Sequence, residues 1–175
     1  MIQQSIQGGF SGLGIAPKLL EVLASLKFQT PTPIQLKAIP TAIEGKDIIG
    51  IAQTGTGKTL AFGVPLIQRI MQGSDGMGLI ILPTRELALQ VNEMLESLGR
   101  ALGIRTAVLI GGLAMGYQIR MLQKRPHIII GTPGRIIDHL RQRTLDLRSV
   151  HILILDEADR MLDMGFAPQV NQILE

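Results

Sequence analysis

The feature that most constrains folding is an alternation of short, β-branched apolar runs with longer helical segments, sustained from Asp47 onward. The runs are Ile48–Ile51, Leu79–Leu82, Thr106–Ile110, Ile128–Ile130 and Ile152–Leu155. Helical spacing falls between them, near residues 58–71, 85–102, 115–123 and 134–143. Continuous apolar runs suit strands covered on both faces, and strand–helix alternation builds a parallel sheet. The expected fold is therefore α/β: a parallel sheet with helices on both faces. Composition agrees, since charged residues make up 18% against roughly 25% in an average globular domain. A chain of 175 residues is long enough for one domain with a sizeable core.

Weaker signals fill in the rest. Pro17 opens a helical stretch through Leu26, with Leu19, Leu20, Leu23 and Leu26 on one side. Thr32-Pro33 starts a second helix near 33–43, which Pro40 is expected to kink or end. In the 85–102 segment, Leu87, Val91, Met94, Leu98 and Leu102 form one stripe, with Gly103 as its cap. Gly9-Phe10-Ser11-Gly12 stops short of a nucleophile elbow, because Leu13 stands where a glycine is needed; it reads as a loop.

Several function classes are excluded or disfavoured. The chain has no cysteine, so disulfides and thiolate metal sites are out. His127, His139 and His151 show no metal spacing and read as structural. Met1-Ile2-Gln3-Gln4-Ser5 lacks the basic start and apolar stretch of a leader. No apolar run approaches the roughly 18 residues of a membrane span, and the expected location is cytoplasmic. Net charge is +3, but Arg100, Arg105, Arg120, Lys124, Arg125, Arg135, Arg141, Arg143 and Arg148 are opposed between residues 100 and 151 by Asp138 and Asp146 alone. Such clustering suits a polyanion, although any single arginine is as readily a solvated helix face.

The chemistry sits at the ends of the apolar runs, where ligands gather in parallel α/β sheets. After Ile48–Ile51 comes Ala52-Gln53-Thr54-Gly55-Thr56-Gly57-Lys58-Thr59. Glycines let backbone N–H groups approach phosphate, Lys58 reaches β- and γ-phosphates, and Thr59 offers a hydroxyl to magnesium. Ala52 replaces the glycine of the strict pattern. After Ile152–Leu155 comes Asp156-Glu157-Ala158-Asp159. Carboxylates there are costly to bury without a cation. Asp156 is the candidate magnesium ligand, and Glu157 the group that orients or deprotonates the attacking water. Lys58 and the acidic pair are expected to serve one triphosphate.

Upstream, Phe28 and Gln35 bracket Pro31 and Ile34; a ring can stack on a purine and an amide can read its edge. Taken by itself, a Phe before two prolines is more often packing. Pro83-Thr84-Arg85-Glu86-Leu87, Gly111-Gly112 and Thr132-Pro133-Gly134-Arg135 fall at strand-to-helix junctions, suited to successive phosphates of one nucleic-acid strand. For Thr132-Pro133, helix capping is an equal alternative. Aromatic residues amount to 3%, which favours contact with the sugar-phosphate backbone over base stacking.

These motifs together resemble the amino-terminal RecA-like domain of DEAD-box ATP-dependent RNA helicases, from Phe10 to the chain end. Ala52–Thr59 is similar to that family's motif I and Asp156–Asp159 to its motif II, letter for letter. Phe28–Gln35 resembles the adenine-sensing Q motif, with Phe10 at its upstream aromatic. Pro83–Leu87, Gly111-Gly112 and Thr132–Arg135 resemble motifs Ia, GG and Ib. The resemblance implies a RecA-like P-loop NTPase fold and ATP and Mg2+ as cofactors. It implies a nucleotide site of Phe10, Phe28, Gln35, Ala52, Gln53, Thr54, Gly55, Thr56, Gly57, Lys58 and Thr59, with Lys58, Asp156 and Glu157 catalytic and Thr59 and Asp156 on the metal. RNA would run along Pro83, Thr84, Arg85, Gly111, Gly112, Thr132, Pro133, Gly134 and Arg135.

It also implies a division into a Q-motif region, 1–35, and the ATP-binding domain, 36–175. A second RecA-like domain with arginine fingers would be a partner. Two departures carry consequences. Lys27 stands where the family has Gly, at about 1 kcal/mol if the backbone there is left-handed. The family's next strand, bearing Ser-Ala-Thr, is not found. It would lie between the strands ending at Ala52 and Leu155, so its absence predicts an unpaired seam and self-association. Alternatives are a nucleotide-latched RNA clamp without catalysis, which an intact Lys58 and Glu157 disfavour, and a DNA helicase or transport ATPase, which Gln35 and Asp159 disfavour.

Overall fold

The structure is a computed structural model that describes residues 9–53, 55–73 and 76–175. It divides into two compact units, Met1–Gly73 with Ser97–Gly103, and Ser74–Glu96 with Ile104–Glu175.

The first unit is helical. A short 3-10 turn, Gly9–Leu13, precedes α1 (Pro17–Ser25), α2 (Pro33–Ile43) and α3 (Lys58–Met71). Pro17 and Pro33 each open a helix, where the missing N–H is no loss. Pro40 lies inside α2 and does not end it. Leu19, Leu23, Ile39, Val64 and Ile67 are fully buried and form the core of this unit. Gln68, also buried, accepts the Ala16 N–H at 2.8 Å and donates to the Gly14 carbonyl at 2.9 Å, tying the amino-terminal turn to α3.

α1 ends in a Schellman motif: the Phe28 N–H reaches the Leu23 carbonyl and the Lys27 N–H that of Ala24. That closure puts Lys27 at φ 64°, the left-handed conformation its substitution for glycine made costly. Arg125 and Arg143 occupy the same strained position after two helices of the second unit, at φ 50° and 56°.

One expected strand is absent. Ile48–Ile51 pairs with no described strand, and Ile49 and Ile51 are 94% and 93% exposed. An apolar run becomes a strand only when a neighbour accepts and donates its ladder bonds. No described strand does so here. This corrects the strand expectation for 48–51.

The second unit holds a four-stranded sheet ordered β2-β3-β1-β4: β1 (Met77–Ile81), β2 (Thr106–Leu109), β3 (Ile128–Gly131) and β4 (Val150–Leu155). All pairs are parallel, with Leu79 opposite both Ile129 and Leu153. Leu79, Ile81, Leu109 and Ile129 pack on α6 (Pro133–Arg141), α7 (Ala158–Asp163) and α8 (Ala167–Leu174). The opposite face meets α4 (Arg85–Gly99), where Thr106 donates to Asn92 Oδ1 at 2.6 Å. Helices thus cover both faces, as the apolar runs required. The buried stripe of α4 is Ala88, Val91, Leu95 and Leu98. It shares Val91 and Leu98 with the expected one and is rotated away from Leu87 and Met94. Gly103, at φ 74°, caps the 3-10 turn that follows α4. β4 pairs with β1 and with no other described strand, leaving Leu153 and Leu155 substantially exposed.

Candidate functional site

In the first unit the phosphate loop leads into α3. Gly55 and Gly57 have φ of 80° and 87°, and Thr56 donates to the Gln53 carbonyl at 2.6 Å. Gly57 caps α3 in the left-handed conformation without a side-chain hydrogen bond. The first N–H groups of the helix therefore have no intrahelical partner and face the anion side. A side chain at Gly57 is excluded twice: by its φ, and because a Cβ would collide with Gln35 Nε2 and sit 3.2 Å from Thr32 Oγ1.

Gln35 joins the expected base reader to this loop. It is 2% exposed; its Oε1 accepts the Thr32 N–H at 2.9 Å and its Nε2 donates to the Gly57 carbonyl at 3.1 Å. Each amide atom retains capacity for one more bond. Thr32 and Gln35 are arranged as a capping box at the start of α2, in which the bond to Gln35 Oε1 is the close one. Thr32 Oγ1 is buried with no hydrogen-bond partner among the described residues, an orphaned hydroxyl beside the phosphate loop. A cradle with no room for a side chain and an orphaned hydroxyl on its rim fit a nucleotide phosphate. Phe28 is half-buried, while Phe10 is 5% exposed and belongs to the core. Thr54 lies outside the described residues.

In the second unit every sequence-predicted element lies at the carboxyl ends of the parallel strands. β4 hands over directly to Asp156, whose N–H still bonds to the Ile81 carbonyl at 3.1 Å. Glu157 then adopts φ 54°, and its N–H donates to Asp156 Oδ1 at 3.1 Å. A left-handed glutamate costs on the order of 1–2 kcal/mol, and such strain concentrates at working sites. Among the described residues no group of three His, Cys, Asp or Glu side chains forms a metal cluster.

The loop after β1 brings Thr84, which accepts the Leu87 N–H at 3.3 Å and so caps α4. Thr132 caps α6 by position but makes no side-chain cap bond, which leaves its hydroxyl for a ligand. Pro83 and Pro133 are buried and serve packing; Gly134 is exposed at the start of α6. Between these loops, Gly111 and Gly112 are held by arginines. Arg85 Nη1 donates to the Gly111 carbonyl at 3.2 Å. Arg135 Nη1 donates to the Leu113 carbonyl at 2.9 Å, while its Nε lies 3.6 Å from Asp138. Gly112 has φ 84°, which strains any side chain there, and a Cβ would displace the flexible end of Arg85.

Sequence profiles place residues 32–175 in the DEAD/DEAH box helicase family. The chain belongs to that family. It is 48% identical over 168 residues to the ATP-dependent rRNA helicase RRP3 of Yarrowia lipolytica, covering 95% of this chain and 35% of that protein. The RRP3 of Eremothecium gossypii is 49% identical, with the same coverage. The chain thus spans about a third of the length of these curated relatives. Among solved structures, a DEAD box protein from Methanococcus jannaschii is 40% identical with a TM-score of 0.90, covering 97% of this chain and 47% of that one. A hypothetical ATP-dependent RNA helicase from Sulfolobus tokodaii gives 33% identity and a TM-score of 0.85, covering 91% and 46%.

For this DEAD-box domain the RecA-like α/β reading holds. Sequence reasoning missed Gln118 in α5 (Met115–Gln123). It is fully buried and donates to the Ile110 and Leu113 carbonyls, each at 3.0 Å. Its signal was a lone amide among apolar positions of a helix following the glycine pair. His139, read as structural, is also fully buried, and burial together with the Arg135 charge lowers its pKa. Several of the clustered cations have local partners: Arg148 pairs with Asp146 at 2.6 Å, and Arg105 donates to the Arg125 carbonyl. No described helix is long and apolar enough to cross a membrane.

Proposed function

We propose that this chain is the ATP-binding and RNA-binding lobe of an ATP-dependent RNA helicase that locally separates or remodels RNA duplexes. The observation that carries the reading is the collection of Thr84, Gly111-Gly112, Thr132 and the Asp156–Glu157 pair along one end of a parallel sheet. In this reading residues 1–35 form the Q-motif region and 36–175 the ATP-binding domain. Phe28 stacks on adenine, and Gln35 reads its edge with the capacity its two internal bonds leave free. The N-terminal turn of α3 and Lys58 hold the phosphates. Thr59 and Asp156 would hold Mg2+, which would supply charge neutralisation at the phosphates of ATP. Glu157 orients the water. RNA contacts are to the backbone and so independent of sequence, and salt weakens them.

A second RecA-like domain is the expected partner, because an arginine finger supplies about 10³–10⁵-fold in related phosphoryl transfer. Without it the 175-residue chain binds nucleotide weakly, turns it over negligibly and does not unwind. Two exposed apolar features, the β4 edge and the 48–51 segment, also support self-association, to be read as a concentration-dependent mass by light scattering. The compartment is a cytoplasmic one in this reading.

The test is Glu157→Gln in the full-length protein. The expected result is loss of RNA-stimulated ATP turnover with RNA binding retained. Wild-type protein that binds RNA and nucleotide without RNA-stimulated turnover, and that Glu157→Gln leaves unchanged, would instead favour a nucleotide-latched clamp that has no use for a water-orienting carboxylate.

A further inference from the structure

We infer that Gln118 and His139 are positioning residues that hold the Gly111–Ala114 loop in its RNA-receiving form. The inference rests on the RNA-binding reading above and goes beyond it, since neither side chain faces the RNA path.

Gln118 Nε2 spends both hydrogens on the Ile110 and Leu113 carbonyls, at 3.0 Å each. Its Oε1 must then accept, and 3.2 Å away stands His139 Nε2. That assigns the ring proton to Nε2 and makes Nδ1 an acceptor for the Thr144 hydroxyl at 2.8 Å, which shares its one hydrogen with the His139 carbonyl at 3.2 Å. Both side chains are 0% exposed, and the network leaves no member without a partner. Fully satisfied buried networks rigidify what they touch. Here they touch α5, α6 and the loop after β2.

The consequence for the loop follows from the planar trans peptide, in which C=O and the next N–H point in opposite directions. Carbonyls 110 and 113 are drawn toward Gln118, and carbonyl 111 toward Arg85. The N–H groups of Gly111, Gly112 and Ala114 are therefore turned away from these clamps. Successive backbone N–H groups so presented make a concavity for phosphate oxygens. Arg135 grips the same Leu113 carbonyl as Gln118, so the loop is set from α5 and α6 together.

The test measures binding of a fluorescein-labelled oligouridine to the full-length protein by anisotropy, beside binding of a fluorescent ADP analogue. Gln118→Met keeps the volume, strips the Ile110 carbonyl of its Gln118 donor and leaves the Leu113 carbonyl to Arg135 alone. His139→Phe leaves those bonds and removes the donor to Gln118 together with the Nδ1 contact to Thr144. We expect roughly tenfold weaker oligouridine binding for Gln118→Met, the effect of one buried acceptor losing its donor and a second held by Arg135 alone, and a smaller loss for His139→Phe. ADP-analogue affinity should stay within about twofold. The slope of log K against log salt should match wild type, since no cation–phosphate contact is lost. Combined with Arg135→Ala, Gln118→Met should cost less than the product of the two single effects. Where Gln118→Met does not fold by circular dichroism, His139→Phe carries the test.

Unchanged oligouridine affinity in a folded variant would overturn the inference. So would an equal fall in both affinities, which marks general loosening. Wild-type protein that fails to bind oligouridine would defeat the RNA-binding reading itself, and this inference with it.

Discussion

The loop before α3 and the loops after β1, β2 and β3 start from the same kind of sequence: an apolar run, a turn rich in Gly, Thr or Pro, then a helix. They end differently. Leu79–Ile81 and Ile128–Ile130 lie between paired neighbours, and their turns are fixed by ladder bonds as well as by side chains. Ile48–Ile51 has an equally apolar run but no pairing among the described residues, and its turn is held by Gln35 and the start of α3. Local chemistry is thus a property of a few adjacent residues, whereas a strand is a property of its neighbours.

The largest test of this division is functional. Lys58→Ala should lower RNA-stimulated ATP turnover of the full-length protein by about 10² or more, while oligouridine affinity measured without nucleotide changes little. Equal loss of both would show that the two regions are not separable.

Stability offers the next test. Ile129→Ala, in a fully buried strand, should cost about 2–5 kcal/mol, and Ile49→Ala, at 94% exposure, under about 0.5 kcal/mol. Urea unfolding of the 175-residue chain measures both. Similar losses would mean that 48–51 is packed in solution.

Smaller effects sharpen the picture at single residues. Lys27→Gly should add about 0.5–1 kcal/mol by releasing a left-handed lysine, read as a higher thermal midpoint. Burial lowers the His139 pKa, so the unfolded chain binds more protons, and stability falls as pH drops below the ordinary value of 6.5. His139→Phe should flatten that slope. At the exposed Asp146, the hydrogen bonds from Arg148 bring the pKa from 3.8 to about 2. Its contribution is present above 3.8 and lost as pH falls toward 2, so Asp146→Asn should remove a slight acid-limb dependence.

Much of this was legible in sequence because period and motif are local. Apolar runs gave β1 to β4, proline starts gave α1 and α2, and Lys27 announced its strain by replacing a glycine. The failures are nonlocal. Nothing within Ile48–Ile51 says that it goes unpaired, because that depends on a partner strand. The roles of Gln35, Gln68 and Gln118 were hidden for a related reason. Each uses its amide on backbone groups of a loop, from a distance in sequence of up to 54 residues, and a lone glutamine in an apolar stripe does not reveal its partner.

The most direct test of the central claim is a double-mutant cycle on magnesium–ATP affinity in the full-length protein, using Lys58→Ala and Asp156→Ala. If both side chains serve one nucleotide, the double variant should bind little worse than the weaker single variant, giving a coupling of about 1 kcal/mol or more. Strict additivity, with each substitution acting as though the other were absent, would contradict the account.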